Sequence, residues 1–472
     1  MSAPAPDPDP SHDNEGAPRP PLTPDFVVSG SGHAARDSTG VASQIEEMPA
    51  ADGAAVMENL PANVSAEVAE ILDPDTAGDI LAEMDPIDAA GVISDMEPPE
   101  ASMVLSAMDP DDRVDVLEHV TRELHEELVG EMEPAEAAEV RRLEQYPPDT
   151  AGGIMTTQVT FLPENLSVEE AIRQLRRLNE EMEQMFYVYV VDEQRRLTGV
   201  LSMRDLILAK PDRRVAQILR PHVLSLPATM DQEEVARLFR KYNYLAMPVV
   251  DAANRLVGII TIDDVVDVIQ EEATEDVQKM FGAGAEERLS SPWTFSFKKR
   301  VWWLQVNLAT AFLAAYVIAM FDKTISALPI LAAYQSIVSG MGGNAGAQAM
   351  AVAIRGIALG EDRRTRLRQI LYREFLIGLL TGLFIGATTW ACAAFGIFGY
   401  HHHPFALGFV ICMALIFNHV NGCVSNLAIP FVMKWLGFDP AQSATIFATT
   451  FTDCGGFFAT LGIAHLCIRW LA

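Results

Sequence analysis

Hydrophobic and polar positions along this 472-residue chain follow three different rhythms. From about residue 301 onward, apolar runs at 301–321, 325–354, 375–399, 404–433 and 441–468 are each long enough to cross a hydrocarbon core of about 30 Å as a helix. Between 60 and 140 the rhythm is short. Asp73-Pro74, Asp85-Pro86, Glu97-Pro98 and Asp109-Pro110 recur every twelve residues, and Glu133-Pro134 returns two periods later. Each acidic residue suits a helix N-cap, and each proline suits the first helical position, where no N–H is needed. Apolar residues fall at matching places in successive units: Ile80, Leu81 and Met84, then Val92, Ile93 and Met96, then Val104, Leu105 and Met108. The pattern predicts a stack of short helices, each burying one face on its neighbours.

The third rhythm is a long repeat over 148–276. Val190, Val191, Asp192, Leu197, Thr198, Gly199, Val200, Leu201, Ser202 and Asp205 return with a constant shift of 59 as Val249, Val250, Asp251, Leu256, Val257, Gly258, Ile259, Ile260, Thr261 and Asp264. Each copy reads helix, strand, turn, strand, helix.

Charge divides the chain sharply. Lys298 to the C-terminus carries twelve Lys/Arg against six Asp/Glu, a net of +6, so of the overall −30 the residues before it hold −36. Such a surface excludes nucleic acid and anionic membrane as partners and makes cations its natural counterions. All five cysteines (Cys392, Cys412, Cys423, Cys454, Cys467) lie in the apolar part without a C-x-x-C spacing, which indicates neither a disulfide scaffold nor a zinc site. Residues 1–41 are rich in Pro, Asp, Ser and Gly and lack the apolar core of a secretory leader, so they read as a disordered tail ahead of cytoplasmic domains. Lys298, Lys299 and Arg300 precede the first apolar run, six arginines lie between the second and third, and Lys434 follows the fourth. Basic residues thus alternate sides of a membrane, placing the N-terminus inside and the C-terminus outside.

Within the five apolar runs Asp453 is the sole ionisable carboxylate. A carboxylate at bilayer depth costs roughly 2.5–3.5 kcal/mol on insertion scales, which makes Asp453 a pore candidate, the alternative being a structural hydrogen bond to a neighbouring helix. The second run holds Pro329 and then Gly340, Met341, Gly342, Gly343, Asn344, Ala345, Gly346, Ala347 and Gln348, a composition expected to unwind where backbone lines a water-filled path. Gly340, Gly343 and Asn344 become candidate ligands there. In the fifth run Thr445, Thr449, Thr452, Asp453, Gly456 and Thr460 share one helical face, adding Thr445 and Thr449 to the pore set. The same small and hydroxyl residues also suit close helix packing. Mg²⁺ fits so sparse a ligand set because it keeps several waters and needs only one or two carboxylates. One aspartate per chain is too little for a cage, and a two-fold homodimer would bring two to one axis. His419 and Cys454 are isolated and read as packing residues, and the run His401, His402, His403 reads as an ordinary loop.

The doubled Gly-h-h-Ser/Thr-x-x-Asp pattern at 199–205 and 258–264 resembles a tandem of cystathionine-β-synthase-type (CBS) domains. That resemblance implies that Ser202, Arg204 and Asp205 hold an adenine nucleotide such as ATP, with Tyr187 and Tyr244 able to stack on its base; a purely structural CBS pair is the alternative. The order of acidic helical stack, CBS pair, linking helix and five spans is similar to the MgtE family of magnesium channels over about 42–472. Glu-Glu-Ala-Thr-Glu-Asp at 271–276, Gly-Met-Gly-Gly-Asn at 340–344, Asp439-Pro440 and Thr452-Asp453 carry the likeness. It implies a multi-domain fold. A disordered tail (1–41) leads into an all-α acidic N domain (42–146), followed by α/β CBS domains at 147–212 and 213–270. A linking, or plug, helix (271–297) then joins an all-α five-helix transmembrane domain (298–472). It further implies a homodimeric inner-membrane channel for hydrated Mg²⁺, closed when cytosolic Mg²⁺ binds between soluble domains. Asp453 is then the pore carboxylate. Asp439, Glu272, Glu275 and Asp276 match acidic positions near the membrane mouth, Asp231, Glu233 and Asp264 match CBS positions, and Asp111 and Asp115 match the helical stack. Asn243 stands where the family has an aspartate, and Tyr334 and Gln335 are bulky for the outer mouth.

The physics of such a gate needs no family: a divalent ion between facing carboxylates turns repulsion into bridging attraction. A second reading is a nucleotide-responsive transporter of another divalent cation, Co²⁺ or Mn²⁺, with the CBS pair as sensor, and a third is a membrane receptor without conduction. Enzyme function is not expected, for the chain has no P-loop, nucleophile elbow or H-E-x-x-H.

Overall fold

The computed structural model describes residues 38–178, 187–284, 287–289, 291–359, 367–397, 403–441 and 444–471. They form two compact units that part between Ile269 and Gln270.

Among the described residues the first unit begins with nine short helices: α1 (Ser38–Ile45), α2 (Ala50–Met57), α3 (Ala62–Ile71), α4 (Pro74–Ala82), α5 (Pro86–Asp95), α6 (Pro98–Ala107), α7 (Pro110–Glu118), α8 (Arg122–Glu131) and α9 (Pro134–Leu143). Every acidic-Pro pair of the twelve-residue repeat sits at a helix start, with the proline at the first position. Where the repeat skips a beat, Thr121 supplies the missing cap, its hydroxyl accepting from the Leu124 N–H. The repeated apolar positions face inward; Ile80, Leu81, Ile93, Leu105 and Leu117 are all essentially buried in one core.

Two small sheets follow. The first joins β1 (Phe161–Pro163), β2 (Val188–Val191) and β3 (Leu197–Leu201), with α10 (Val168–Leu178) between β1 and β2 and α11 (Met203–Leu208) after β3. The second repeats the order with β4 (Leu226–Pro227), α12 (Gln232–Tyr242), β5 (Ala246–Val250), β6 (Leu256–Thr261) and α13 (Ile262–Phe281). Each sheet has one parallel and one antiparallel pair, and each bulges at the corresponding place, between Val190 and Val191 and between Val249 and Val250. The expected helix–strand–turn–strand–helix unit therefore lacks its first strand. β1 and β4 are only 3 and 2 residues long, too short for any alternation to register. Asn243 closes α12 in the left-handed conformation at φ 53°, a backbone state that asparagine tolerates better than most residues.

The second unit is helical: α14 (Trp293–Ala319), α15 (Asp322–Ala327), α16 (Leu331–Ala358), α17 (Leu367–Ala394), α18 (Pro404–Leu436), α19 (Ala444–Leu466) and α20 (Ile468–Leu471). Among the described residues four helices, α14, α17, α18 and α19, are long and apolar enough to cross a membrane. Helix α16 has the length, at 28 residues, but its Gly/Asn/Gln content keeps it out of that group.

Three expectations change here. The glycine run of the second span does not unwind, for α16 is a continuous helix through Gly340–Gln348. Its glycines serve packing instead, since a methyl group at Gly342 would overlap the Asn418 amide and one at Gly346 the Asn426 amide, both on α18. Tyr334 and Gln335 are buried against α16's neighbours rather than standing at a mouth. The linking helix does not run to 297: α13 ends at Phe281, Gly282 turns the chain at φ 76°, and the next helix begins at Trp293. Of the histidine loop, His401 and His402 lie outside the described residues, and His403 precedes α18.

Candidate functional site

Carboxylates gather in the first unit where two helices begin. Asp109 occupies the N-cap position of α7 without a side-chain capping bond, and Asp111 and Asp112 occupy its first turn; ligand oxygens of these three lie within 4.8 Å of one another. Asp264 stands in the first turn of α13, where it accepts from the Thr261 hydroxyl at 2.6 Å and the Thr261 N–H at 3.2 Å. Its charge reaches Asp111 and Asp112. Burial, reinforced by the neighbouring acids, pushes Asp112 up to about 8 and Asp111 well above the usual carboxylate range. Burial likewise lifts Asp264 to about 6, against the pull of its Thr261 hydrogen bonds. Asp111 is 8% exposed and its Oδ1 has no hydrogen-bond partner among the described residues. The guanidinium of the adjacent Arg113 donates to the Leu105, Ser106 and Met108 carbonyls. An all-oxygen, charge-rich set with an orphaned oxygen fits a hard divalent cation. Gln158 donates to Asp109 at 2.9 Å and Thr157 to Glu139, tying the CBS segment to the helical stack beside the cluster.

The other predicted sensor positions are arranged differently. Asp231 caps α12 by accepting from the Glu233 N–H at 2.9 Å, and Glu233 pairs with Arg237 at 2.9 Å. Asp115 lies half-buried on α7 and adds its charge to that felt by Asp112. In the second unit Lys279 of α13 pairs with Glu275 one turn earlier and with Asp439, 3.0 Å away, so the chain itself places a cation between those two acids. Glu272 and Asp276 lie half-buried on the same stretch of helix.

In the helical unit Asp453 is half-buried on α19 and accepts a hydrogen bond from the hydroxyl of Ser339 on α16. Gly343 lies one turn beyond Ser339, near Thr452; Gly340 and Asn344, a step round α16, are exposed in the single chain. The threonine face has its hydroxyls committed: Thr449 and Thr452 donate back to their own helix, and Thr445 donates to the Met280 carbonyl at the end of α13. The structure thus brings Asp453, Gly343 and the Thr452 turn together and leaves Gly340 and Asn344 on another face.

The proposed nucleotide residues are scattered in role. Ser202 caps α11 by accepting from the Asp205 N–H, and the Asp205 carboxylate is held below the usual range first by a hydrogen bond with the Ser202 side chain and then by Arg220, 3.1 Å away. Arg204 is exposed, Tyr187 packs at the edge of the cluster around Tyr189, and Tyr244 stacks on Tyr242 at 5.9 Å.

Several functional candidates escaped sequence reasoning. Asp109 and Asp112 belong to the cluster but read as part of a capping repeat; two acids flanking Pro110 and Asp111 were the available signal. Glu374, only 4% exposed, falls one residue outside the third apolar run and pairs with Arg373 at 3.0 Å. Ser339 had no local signal, since its partner is 114 residues away.

Three family profiles match the chain: the MgtE intracellular N domain over 48–149, the CBS domain over 151–212 and 215–271, and MgtE, a divalent cation transporter, over 335–463. The Magnesium transporter MgtE of Enterococcus faecalis is 36% identical over 335 residues, covering 71% of this chain and 73% of the relative. That of Thermus thermophilus is 35% identical over 366 residues, covering 76% and 79% respectively. A crystal structure of the cytosolic domain of the Mg²⁺ channel MgtE in complex with ATP is 37% identical and covers 52% of this chain and 98% of its own, with a TM-score of 0.47. With apolar helices, a doubled CBS unit and an acidic helical stack in one polypeptide, the chain belongs to the MgtE family.

Proposed function

We propose that this chain carries Mg²⁺ across a membrane along a path lined by Asp453, and that Mg²⁺ held by the acidic cluster of its soluble unit closes that path. The observation that carries the transport reading is the placement of Asp453. It is half-buried in a unit of long apolar helices, and the one side-chain bond it makes among the described residues is to a neutral hydroxyl, not to a guanidinium or ammonium that would cancel its charge. A carboxylate kept negative in hydrocarbon is expensive unless a cation visits it. The relatives named as magnesium transporters support the choice of ion, and so does the sparse donor set, because Mg²⁺ retains its waters where Ca²⁺ would call for six to eight oxygens.

In this reading α14, α16, α17, α18 and α19 are the five spans, with α16 shielded from lipid by its packing on α18 and α19. A homodimer places two Asp453 carboxylates on its axis and turns the exposed Gly340 and Asn344 face toward the path. The regulatory ion is held by Asp109, Asp111, Asp112 and Asp264, with Asp115 and Asp231 contributing long-range charge. It supplies the positive charge that lets these acids stay ionised at close quarters. The soluble unit lies in the cytoplasm. Adenine nucleotide binding near Ser202 and Arg204 would modulate the sensor, with Asp205 exchanging Arg220 for a ribose hydroxyl.

The test is Mg²⁺ uptake by liposomes containing the purified chain. Asp453→Ala should abolish uptake while the protein still elutes as a folded, monodisperse species. Uptake at the wild-type rate would remove Asp453 from the ion path.

A further inference from the structure

Asp453 is not free to turn. Its Oδ1 accepts from the Ser339 hydroxyl across the α16–α19 contact. The turn of α16 that carries Ser339 is itself clamped by Asn418 of α18, which is fully buried and donates from Nδ2 to the Val338 carbonyl at 2.8 Å. The Asn418 amide occupies the space a methyl group would take at Gly342 on α16, and it lies 2.7 Å from where one would stand at Gly456 on α19. Gly456 follows Asp453 by three residues and shares its face of the helix. One buried amide thus holds both helices at the level where Ser339 meets Asp453.

A carboxylate has two oxygens, and a serine hydroxyl has a single proton to give. With Oδ1 held toward Ser339 and keeping only part of its accepting capacity, Oδ2 is the oxygen of Asp453 left without a side-chain partner among the described residues. A single oxygen suits a water of a hydrated ion or one corner of an octahedron, whereas Ca²⁺ gains from bidentate carboxylates and a larger, looser shell. We propose that Ser339 is a specificity-determining positioning residue: its bond to Asp453, kept in register by Asn418, withholds the second oxygen and so disfavours Ca²⁺ relative to Mg²⁺. The inference rests on Asp453 lining the ion path.

The experiment measures Mg²⁺ uptake by liposomes containing the full chain, with Ca²⁺ as competitor, for wild type, Ser339→Ala, Ser339→Cys, Ser339→Thr and Asp453→Asn. Ser339→Ala should let Ca²⁺ inhibit at about tenfold lower concentration, as loss of a hydrogen bond to a charged group implies. Ser339→Cys, which keeps the volume but donates weakly, should behave like Ser339→Ala, and Ser339→Thr should restore the wild-type ratio. Unchanged Ca²⁺ sensitivity in both Ser339→Ala and Ser339→Cys overturns the proposal. So does a loss of uptake that Ser339→Thr fails to rescue, since that marks a packing role. If Asp453→Asn transports as wild type does, the ion-path reading falls. If Asp453→Asn is inactive while Ser339→Ala keeps wild-type Ca²⁺ sensitivity, only the role of Ser339 falls.

Discussion

Carboxylates are treated in opposite ways in the two units. In the helical unit several buried or half-buried acids have been given a donor by the chain: Glu374 has Arg373, Glu287 has Arg300, Asp439 and Glu275 share Lys279, and Asp453 has Ser339. In the first unit Asp109, Asp111, Asp112 and Asp264 crowd one another, Asp109 accepting from the neutral Gln158 and Asp264 from the neutral Thr261, and the adjacent Arg113 donates to backbone carbonyls. The first arrangement is complete without an ion. The second is a spring compressed by its own charge, and it relaxes only when a proton or a divalent cation arrives. Within the helical unit Asp453 stands apart, because a hydroxyl orients its charge without cancelling it.

The sharpest way to break this contrast is at its two poles. Asp453→Asn should lower Mg²⁺ uptake by about 100-fold or more, the scale of removing a charge that meets the ion directly in a low-dielectric setting; uptake above a tenth of wild type would place the path elsewhere. Next in size, Asp111→Asn and Asp264→Asn should each raise the Mg²⁺ concentration that half-protects residues 282–292 from protease by about tenfold. Equal protection in both variants and wild type would make the cluster a passive surface.

Protons offer a finer probe. Asp112, lifted to about 8, and Asp264, lifted to about 6, both bind protons more tightly when folded than at the ordinary value of 3.8. For an acid with a raised folded pKa, folding takes up protons, so stability must climb as pH falls through that range. In Mg²⁺-free buffer the first unit of the intact protein should melt at higher temperature at pH 5.5 than at pH 8, and saturating Mg²⁺ should flatten that slope. A melting temperature that falls on acidification would contradict the crowding. The smallest effect belongs to Lys279→Gln. Losing the built-in ammonium should make docking of α13 onto Asp439 more Mg²⁺-dependent, shifting the half-protecting concentration by about two- to threefold, as befits a partly exposed ion pair.

How much of this was legible depended on distance along the chain. The helical stack was readable because its signal is local: Asp73-Pro74 or Asp109-Pro110 fixes a helix start within two residues, and the burial of Ile80, Ile93 and Leu105 follows from spacing alone. The doubled 59-residue unit was readable as a repeat, yet β1 and β4 hid because two or three residues carry no period. The glycine run at 340–346 misled for a physical reason. Glycine's weak helix propensity argues for unwinding, but the Asn418 and Asn426 amides fill the space that the missing side chains leave, and no neighbour in sequence announces an asparagine more than seventy positions away. Asp453 stood out by charge among apolar residues, whereas its hydroxyl partner, one serine among many, did not. Asp109 and Asp112 were visible as letters and hidden as a site, since only folding brings Asp264 to them.

The seating of the Asn418 and Asn426 amides against Gly342 and Gly346 constrains how this bundle can evolve and move. A notch cut for an amide admits no other residue on either side, so drift at 342 or 346 must wait for a matching change at 418 or 426, and those pairs should vary together or not at all. The same keying forbids α16 from creeping along α18 by a single residue, for that would strand an amide in hydrocarbon. Any rearrangement of the bundle is therefore expected to swing α16 and α18 as one block.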